Sequence, residues 1–525
     1  MFHVDPAFAA APEPVLTSAV EEAVTDTETV PEEAPQEVLP DATAEPAPED
    51  ASEPEVVIPA ELIQPAEPSV PSDAASEELP ADEEMATEEP TAEEPSAEEP
   101  APSTEGVAKI GETTYATLDE AVKAAENGAV IEVLADCTTD GLNLSKDLTI
   151  RAAAGLTAKP TITFVKDGIA LWAKSLTFEG CNVEMTRVGS TPYAEWRWMT
   201  ICGQAGSALN LIDTTMSMDG QDLPSNTHAI YADNGMKLFM DHSKLSIMQY
   251  PQDALEWNGG NYDYNVEMID STYLSDRNRS GFAGTFNVKA TRSVIDVINS
   301  SGNGSNGSNF HFIDSNVNFS ENGSHGLSVG ALTVENSNIS IYHNGLCGIA
   351  VSAADDLLVD GTYTLNIAYN CYKTWTASSA LRMYGGSRKA LIQSSAKVII
   401  HDNEASGMET YRPTVFEEGV ALAIFNNQIL RNESKGTDGM GGGIYTYRAL
   451  TLPSNAVIRN NHALTCGDDI YCHPEEGQIT FGKVGTDWAL DGAPDCEHAI
   501  DGWYDDSVGA RWSVHSKPVH AEVFH

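Results

Sequence analysis

Beyond residue 106 the chain is built from short runs in which apolar and polar residues alternate, each run closing on Asn, Asp, Gly or Ser. Period-two runs bounded by such turn residues read as short strands with one buried face. They fall at 148–150, 161–164, 175–178, 208–212, 266–269, 294–298, 357–360 and 397–401. Between Phe310 and Gly348 the pattern repeats, with residues 310–326 lying over residues 332–348 at a step of 22. Asp314 then falls on Asn336, Ser315 on Ser337, Val317 on Ile339 and Asn322 on Asn344. One turn upstream, with a slip of about one residue, Val294 and Asn299 take the places of Val317 and Asn322.

Strand-like runs recurring at a fixed step of this size are the signature of a solenoid. With strands, Asn/Gly turns and almost no helix, the chain reads as all-β: a right-handed single-stranded parallel β-helix. Residues 106–475 would hold about 16 coils, a stack on the order of 75–80 Å at ~4.8 Å per strand layer. Asn299, Asn322 and Asn344 are expected to form a structural turn column whose side-chain amides hydrogen-bond from coil to coil. Two looser repeats, residues 429–445 and 457–471, follow. Residues 476–525 lose the period and read as a C-terminal cap or linker.

A stack of coils leaves its first rung open to water and to strand pairing, so a terminal cap is required. Thr117-Leu118-Asp119-Glu120 has the form of a capping box, in which a Thr hydroxyl and a Glu three residues later satisfy free N–H groups. Leu118, Val122 and Ala125 share one face of the helix it predicts over 117–127, which Asn127-Gly128 would end. This helix is the expected N-terminal cap.

Charge divides the chain in two. Residues 1–105 hold 30 of the 79 acidic residues and none of the 28 Lys and Arg. That segment is rich in Pro, Glu, Ala and Ser, buries too little apolar surface to offset its ordering entropy, and is expected to be a disordered acidic spacer. The remainder, with 49 acidic against 28 basic residues, is moderately acidic. Negative charge disfavours nucleic acid and anionic membranes as partners, and no apolar run is long enough to span a bilayer. Ala7-Phe8-Ala9 before Ala10-Ala11-Pro12 resembles the small-residue end of a secretory signal peptide without its charged and hydrophobic regions. Together with the acidic spacer it leads us to expect a secreted or cell-surface protein.

Eight cysteines are too few for a disulfide framework in a chain of 525 residues. Cys181 and Cys202, and likewise Cys347 and Cys371, are spaced by roughly one coil, so stacked buried thiols are expected. Among Cys466, Cys472 and Cys496 one disulfide is the alternative. No paired-Cys zinc signature is present.

The segments YATLDEAVKAAENGAVIEVLAD and DLTIRAAAG, with the late repeats ending GGGIY and GDDIY, resemble secreted parallel β-helix surface proteins of gut Firmicutes. The late repeats are also similar to the passenger repeats of polymorphic outer-membrane adhesins, and DGWYDDSVGARW to a segment that follows such β-helices in anchored surface proteins. The resemblance covers about residues 106–515 and implies an exported, adhesive protein of the cell surface.

Candidate chemistry is sparse. Residues 324–330, SHGLSVG, resemble the His-containing motif of the polygalacturonase family, which makes His325 a catalytic candidate. A glycosidase of that kind needs a carboxyl pair to protonate the leaving oxygen and activate water, and one coil earlier the chain reads Ser300-Ser301-Gly302-Asn303-Gly304. A calcium-assisted lyase would require clustered carboxylates beside Arg or Lys; Asp276 and Arg277, with Arg279 and Lys289, are the nearest set. Asp468-Asp469 sits at a repeat corner, where Asp forms turns. No metal site is predicted, and calcium is the one cofactor kept in view.

Large aromatics break the pattern in two places: Tyr193, Trp196 and Trp198, then Trp257, Tyr262 and Tyr264. Aromatic rings on projecting loops offer apolar area with a polar handle, suited to stacking on sugars. These observations lead us to expect a monomeric, non-catalytic β-helix that binds a glycan or a host or bacterial surface protein along its flank. A polysaccharide lyase or glycoside hydrolase on the same fold is the alternative. A rigid surface spacer is the third reading.

Overall fold

The computed structural model describes residues 106–491 and 499–500, except 234, 260–262, 353–356, 373–378, 386–388, 394, 431–438, 454–455, 465–466, 474–475 and 482–487. Side chains are described as far as residue 480. The acidic segment 1–105 and most of the predicted terminal region lie outside these residues.

Each coil contributes strands to three faces. In one representative turn His228–Asp233 lies on the first face, Lys237–Asp241 on the second and Lys244–Met248 on the third, before Leu255–Asn258 returns to the first. The third face is a 13-stranded sheet running in order from Cys137–Thr139 to Val457–Arg459. The other two faces merge into one sheet because Ser305–Ile313 and Leu327–Glu335 run through both without a break. Pairing between successive coils is parallel and in register, as in Thr272↔Val294, Val294↔Asn316 and Asn316↔Asn338. The protein is therefore a parallel β-helix.

On the third face the step of 22 residues holds only where the corners are tight, between Thr272 and Asn338. Elsewhere loops lengthen the coil, so that Asn182 pairs with Thr215 and Thr364 with Lys397. Extra residues per turn are why the third face carries 13 rungs rather than the 16 coils expected.

Alternation puts every second side chain inside, and registry turns each inward position into a column. Ile230, Leu255, Phe282, Ser305, Leu327, Ile349, Leu381, Met408, Ile444 and Ile470 form one such column on the first face. Each fully buried aliphatic or aromatic residue contributes about 1.5–3 kcal/mol by removal of apolar area from water.

Both strongly bent corners combine a left-handed residue with a buried polar one. From the second face to the third, Asp213, His242, Asp270, Arg292, Asp314 and Asn336 have φ of 46–50°. The hydroxyls that follow form a ladder: Thr214 N–H donates to Ser243 Oγ, Ser243 to Ser271, Ser271 to Ser293, Ser293 to Ser315 and Ser315 to Ser337, all at 3.0–3.1 Å. From the third face to the first, Asn322, Asn344, Asn370, Asn403, Asn427 and Asn461 form an amide ladder that ends on Asp469.

Asn299 is not a rung of that ladder. Its neighbour Ser300 occupies the buried position and donates its N–H to Asn322 Oδ1 at 3.1 Å. Asn299 is the exposed left-handed residue before it, at φ 56°, equivalent to Glu321 and His343. The one-residue slip in the repeat had moved it into the wrong column.

The predicted cap helix spans Leu118–Ala124, with Thr117 Oγ1 accepting the N–H of Glu120 at 3.2 Å. Leu118, Ala121 and Ala125 are buried in the first coil, and Val122 packs at the edge of the same core. Ala108–Ile110 pairs antiparallel with Ala129–Val133 and closes that edge of the second face. At the other end the stack extends to Gln478–Phe481, past the expected limit, and Trp488–Asp491 and Ala499–Ile500 add antiparallel edges.

Candidate functional site

The outward side of the first face carries a row facing away from the core column. Through the middle of the stack it reads Tyr231, Glu256, Ala283, Asn306, Ser328, Ala350, Arg382, Glu409, Tyr445 and Tyr471. Charged and aromatic groups gather at its two ends, separated by a run of small residues. Five strand-to-strand steps separate Glu256 from Arg382, about 24 Å at ~4.8 Å per step.

The C-terminal end is an aromatic platform. Tyr411 and Tyr447 stand 5.8 Å apart, Tyr411 and Tyr445 6.0 Å, and Tyr447 and His473 4.2 Å, while Tyr445 stacks on Tyr471 at 5.5 Å. Tyr384 begins the outer column of this platform, 39% exposed. Arg382 lies over the rings of Tyr384 and Tyr411, at 4.8 and 5.9 Å, and Arg448 over Tyr447 at 5.4 Å. Beneath them Arg382 Nε is 3.3 Å from the buried Glu409 Oε2. The buried guanidinium of Arg412 donates to the Tyr384 carbonyl at 2.9 Å and to the Ser352 carbonyl, tying the platform to the previous coils. Burial and the nearby Glu409 push the Tyr411 phenol up to about 12, so it stays a neutral donor.

His325 lies on the same face and is half-buried. Its backbone N–H donates to Asn303 Oδ1 at 3.1 Å, while its Nδ1 has no hydrogen-bond partner. Burial holds the imidazole below its ordinary value, with Arg382 adding to the effect. No described carboxyl pair flanks it, so the arrangement an inverting glycosidase requires is missing around His325 among the described residues.

Asp276, Arg277, Arg279 and Lys289 do not converge. Arg277 pairs with Asp276 at 2.9 Å, and Asn299 also donates to Asp276. Lys289 is on the second face, 3.6 Å from Glu267 and 5.2 Å from the Tyr264 ring. Arg279 instead turns to the first face, 3.5 Å from Asp253. There His228 Nδ1 stands 2.6 Å from Glu256 Oε2 and 3.9 Å from Asp253 Oδ2. This group joins three consecutive coils at the N-terminal end of the row. The sequence gives little sign of it, since its members are separated by 25, 3 and 23 residues rather than by a constant step.

The aromatic predictions divide. Tyr193 and Trp196 pack with Trp172, whose ring stacks on Trp196 at 4.7 Å, and together they cover Ala170 and Cys202 on the outer wall. Trp198 lies beside them under Arg197, at 5.1 Å. Trp257 is corrected outright: it is 1% exposed, stacks on Phe286 and donates its indole N–H to the Met236 carbonyl at 2.9 Å. Its strand alternation points it inward, so no sugar can reach the ring. Tyr264 bonds His311 at 3.1 Å on the second face. Tyr262 lies outside the described residues.

Asp469 is also structural, its Oδ1 accepting two N–H groups of Asn461, and Asp468 accepts the N–H of Ala463. Cys137, Cys181, Cys202, Cys347, Cys371 and Cys472 are free thiols. Cys181 occupies a corner and Cys202 the outward row of the first face, so that pair does not stack as expected. Cys466 and Cys496 lie outside the described residues.

Among the described residues, no helix is long and apolar enough to cross a membrane. No family model matches the chain, and no curated protein matches it in sequence.

Proposed function

We propose that this β-helix is a non-catalytic binding protein of the cell exterior, adhesive through carbohydrate recognition on its first face. The observation that carries this reading is the platform of Tyr384, Tyr411, Tyr447 and His473 with Arg382 laid over two of its rings. Rings in ladder registry offer apolar faces to sugar rings, and their polar edges and the guanidinium offer hydrogen bonds to hydroxyl or carboxylate groups. Arg382 favours an acidic sugar over a neutral one. The row of Ala350, Ser328 and Asn306 gives an extended chain a low floor along which to continue. A rigid solenoid holds these groups in place before binding, which lowers the entropic cost of association.

A polysaccharide lyase or hydrolase is the second reading, favoured by His228, Asp253, Glu256 and Arg279 on adjacent coils. It ranks behind because the Asp253 carboxylate is 2% exposed, too buried to reach a glycosidic oxygen, which leaves Glu256 as the only accessible carboxylate of the pair.

The test is the full chain on an array of acidic plant and mucin glycans, with product analysis by mass spectrometry. Binding without release of oligosaccharide, weakened at least about tenfold by Tyr411→Ala or Tyr447→Ala, is the expected result. Binding that ignores both substitutions, or no binding, overturns the platform reading. Oligosaccharide release transfers the assignment to the enzyme.

A further inference from the structure

The group at the N-terminal end of the first face is poor as an ion-pair network. Asp253 is buried, and its Oδ1 has no hydrogen-bond partner although Arg279 Nε is 3.5 Å away. His228 Nδ1 and Glu256 Oε2 are 2.6 Å apart but not aligned for a hydrogen bond, so each is unsatisfied as well. The hydroxyl of Thr227, next in the chain to His228, is a fourth buried polar atom without a partner. Buried polar atoms normally find partners, and four orphans within one short stretch of wall require an explanation such as an ion.

We propose that His228, Asp253 and Glu256 bind a divalent transition-metal ion of the zinc type. The three ligand atoms lie within 4.8 Å of one another. In a tetrahedral zinc site with bonds of 2.0–2.1 Å, ligand atoms stand about 3.3 Å apart. The two distances from His228 Nδ1, 2.6 Å to Glu256 and 3.9 Å to Asp253, bracket that value. Rotation of the partly exposed Glu256 side chain, 28% accessible, would lengthen the shorter of the two, and a small turn of the His228 ring would shorten the longer. One imidazole and two carboxylates suit zinc or manganese, whereas calcium and magnesium select all-oxygen shells. Three protein ligands leave a fourth position for water or for an oxygen of a bound molecule.

The surroundings fit this role. The Tyr231 ring meets the imidazole edge to face at 5.8 Å and limits its rotation. Arg279 and Ser280 approach Asp253 from the following coil and act as its outer partners, as the carboxylates of metal sites usually have. The second group of this composition, Asp241, His242 and Asp270, is already held by the two bonds of Arg292 to Asp270 and is more exposed. This proposal does not depend on carbohydrate binding at the far end of the face.

The test is metal content and titration of the full chain after chelator dialysis, with zinc, manganese and calcium as separate probes. One equivalent of zinc or manganese per chain is expected, with calcium at least tenfold weaker. His228→Ala and Glu256→Gln should each weaken binding at least tenfold while the thermal midpoint of the metal-free protein changes little. Both side chains are partly exposed, 19% and 28%, so their loss is expected to leave the fold intact. Absence of stoichiometric binding, binding unchanged in both variants, or a preference for calcium would overturn the assignment.

Discussion

Asn322 and Asn344 occupy the same position one coil apart, and Asn344 Oδ1 accepts both the side-chain amide of Asn322, at 2.8 Å, and its backbone N–H, at 3.2 Å. Asn344 in turn donates to the Phe319 carbonyl and to Asn370 Oδ1. Each rung therefore satisfies four polar groups inside the corner, where water cannot do so.

Loss of one rung should cost far more than loss of its exposed neighbour. Asn344→Ala leaves several buried donors and acceptors without partners, and an expected destabilisation on the order of 2–4 kcal/mol follows. Asn299→Gly should lie within about 0.5 kcal/mol of the parent, because glycine accepts the left-handed backbone freely, whereas Asn299→Val should cost about 1–3 kcal/mol. Urea denaturation measures all three. Equal losses for Asn344→Ala and Asn299→Gly would contradict the assignment of the two columns.

Trp257 and Tyr447 should separate packing from recognition. Trp257→Ala opens a cavity in the core and is expected to cost about 3–5 kcal/mol. Tyr447→Ala, at the surface, should leave the melting temperature nearly unchanged while weakening glycan binding. Calorimetry and glycan binding on the same samples decide. A Trp257 variant that folds normally yet loses ligand would reverse the two roles.

His325 sets an expected pH dependence. Its folded-state pKa lies below the ordinary 6.5, chiefly through burial. The unfolded chain therefore takes up the proton first as pH falls, and stability drops from 6.5 downward until the folded-state pKa is passed. Above 6.5 the group contributes no slope. His325→Gln should flatten this segment of the stability curve, measured as urea midpoints across the interval. A variant with the parental slope would show that other groups govern acid sensitivity.

The thiols should be inert in the native protein. Burial pushes Cys347 up to about 11 and Cys181 and Cys472 to about 12, so almost no thiolate exists at neutral pH. Alkylation followed by peptide mapping should label these three only after denaturant is added. Rapid labelling of Cys347 in the native state would mean that the corner opens.

The sequence carried the fold because the solenoid writes its geometry locally: alternation sets the strands, the capping box sets the helix, and Asn322 over Asn344 sets the step. It misled at Asn299, where a left-handed corner residue and a buried ladder residue are adjacent and chemically alike. The sites were less legible. Trp257 and Tyr447 are both large aromatics at strand ends, and only strand parity decides which points inward. His228, Asp253 and Glu256 meet because loops of different length separate registered strands, so no fixed spacing announces them. The tyrosine platform did leave a trace, in the alignment of Ile444-Tyr445-Thr446-Tyr447 with Ile470-Tyr471-Cys472-His473.

Every amide in the corner ladder donates once to the next side chain toward the C-terminal end and once to a carbonyl of the preceding coil, and the run stops at Asp469, a side chain that accepts two N–H groups from Asn461. A ladder coil thus offers one side-chain acceptor and one donor to the turn before it and further donors to the turn after it, whatever loops it carries. Coils joined in this way are interchangeable parts. Duplication or deletion of a whole turn preserves the joint, so the length of the first face is free to change by unit steps, provided that the carboxylate terminator stays last.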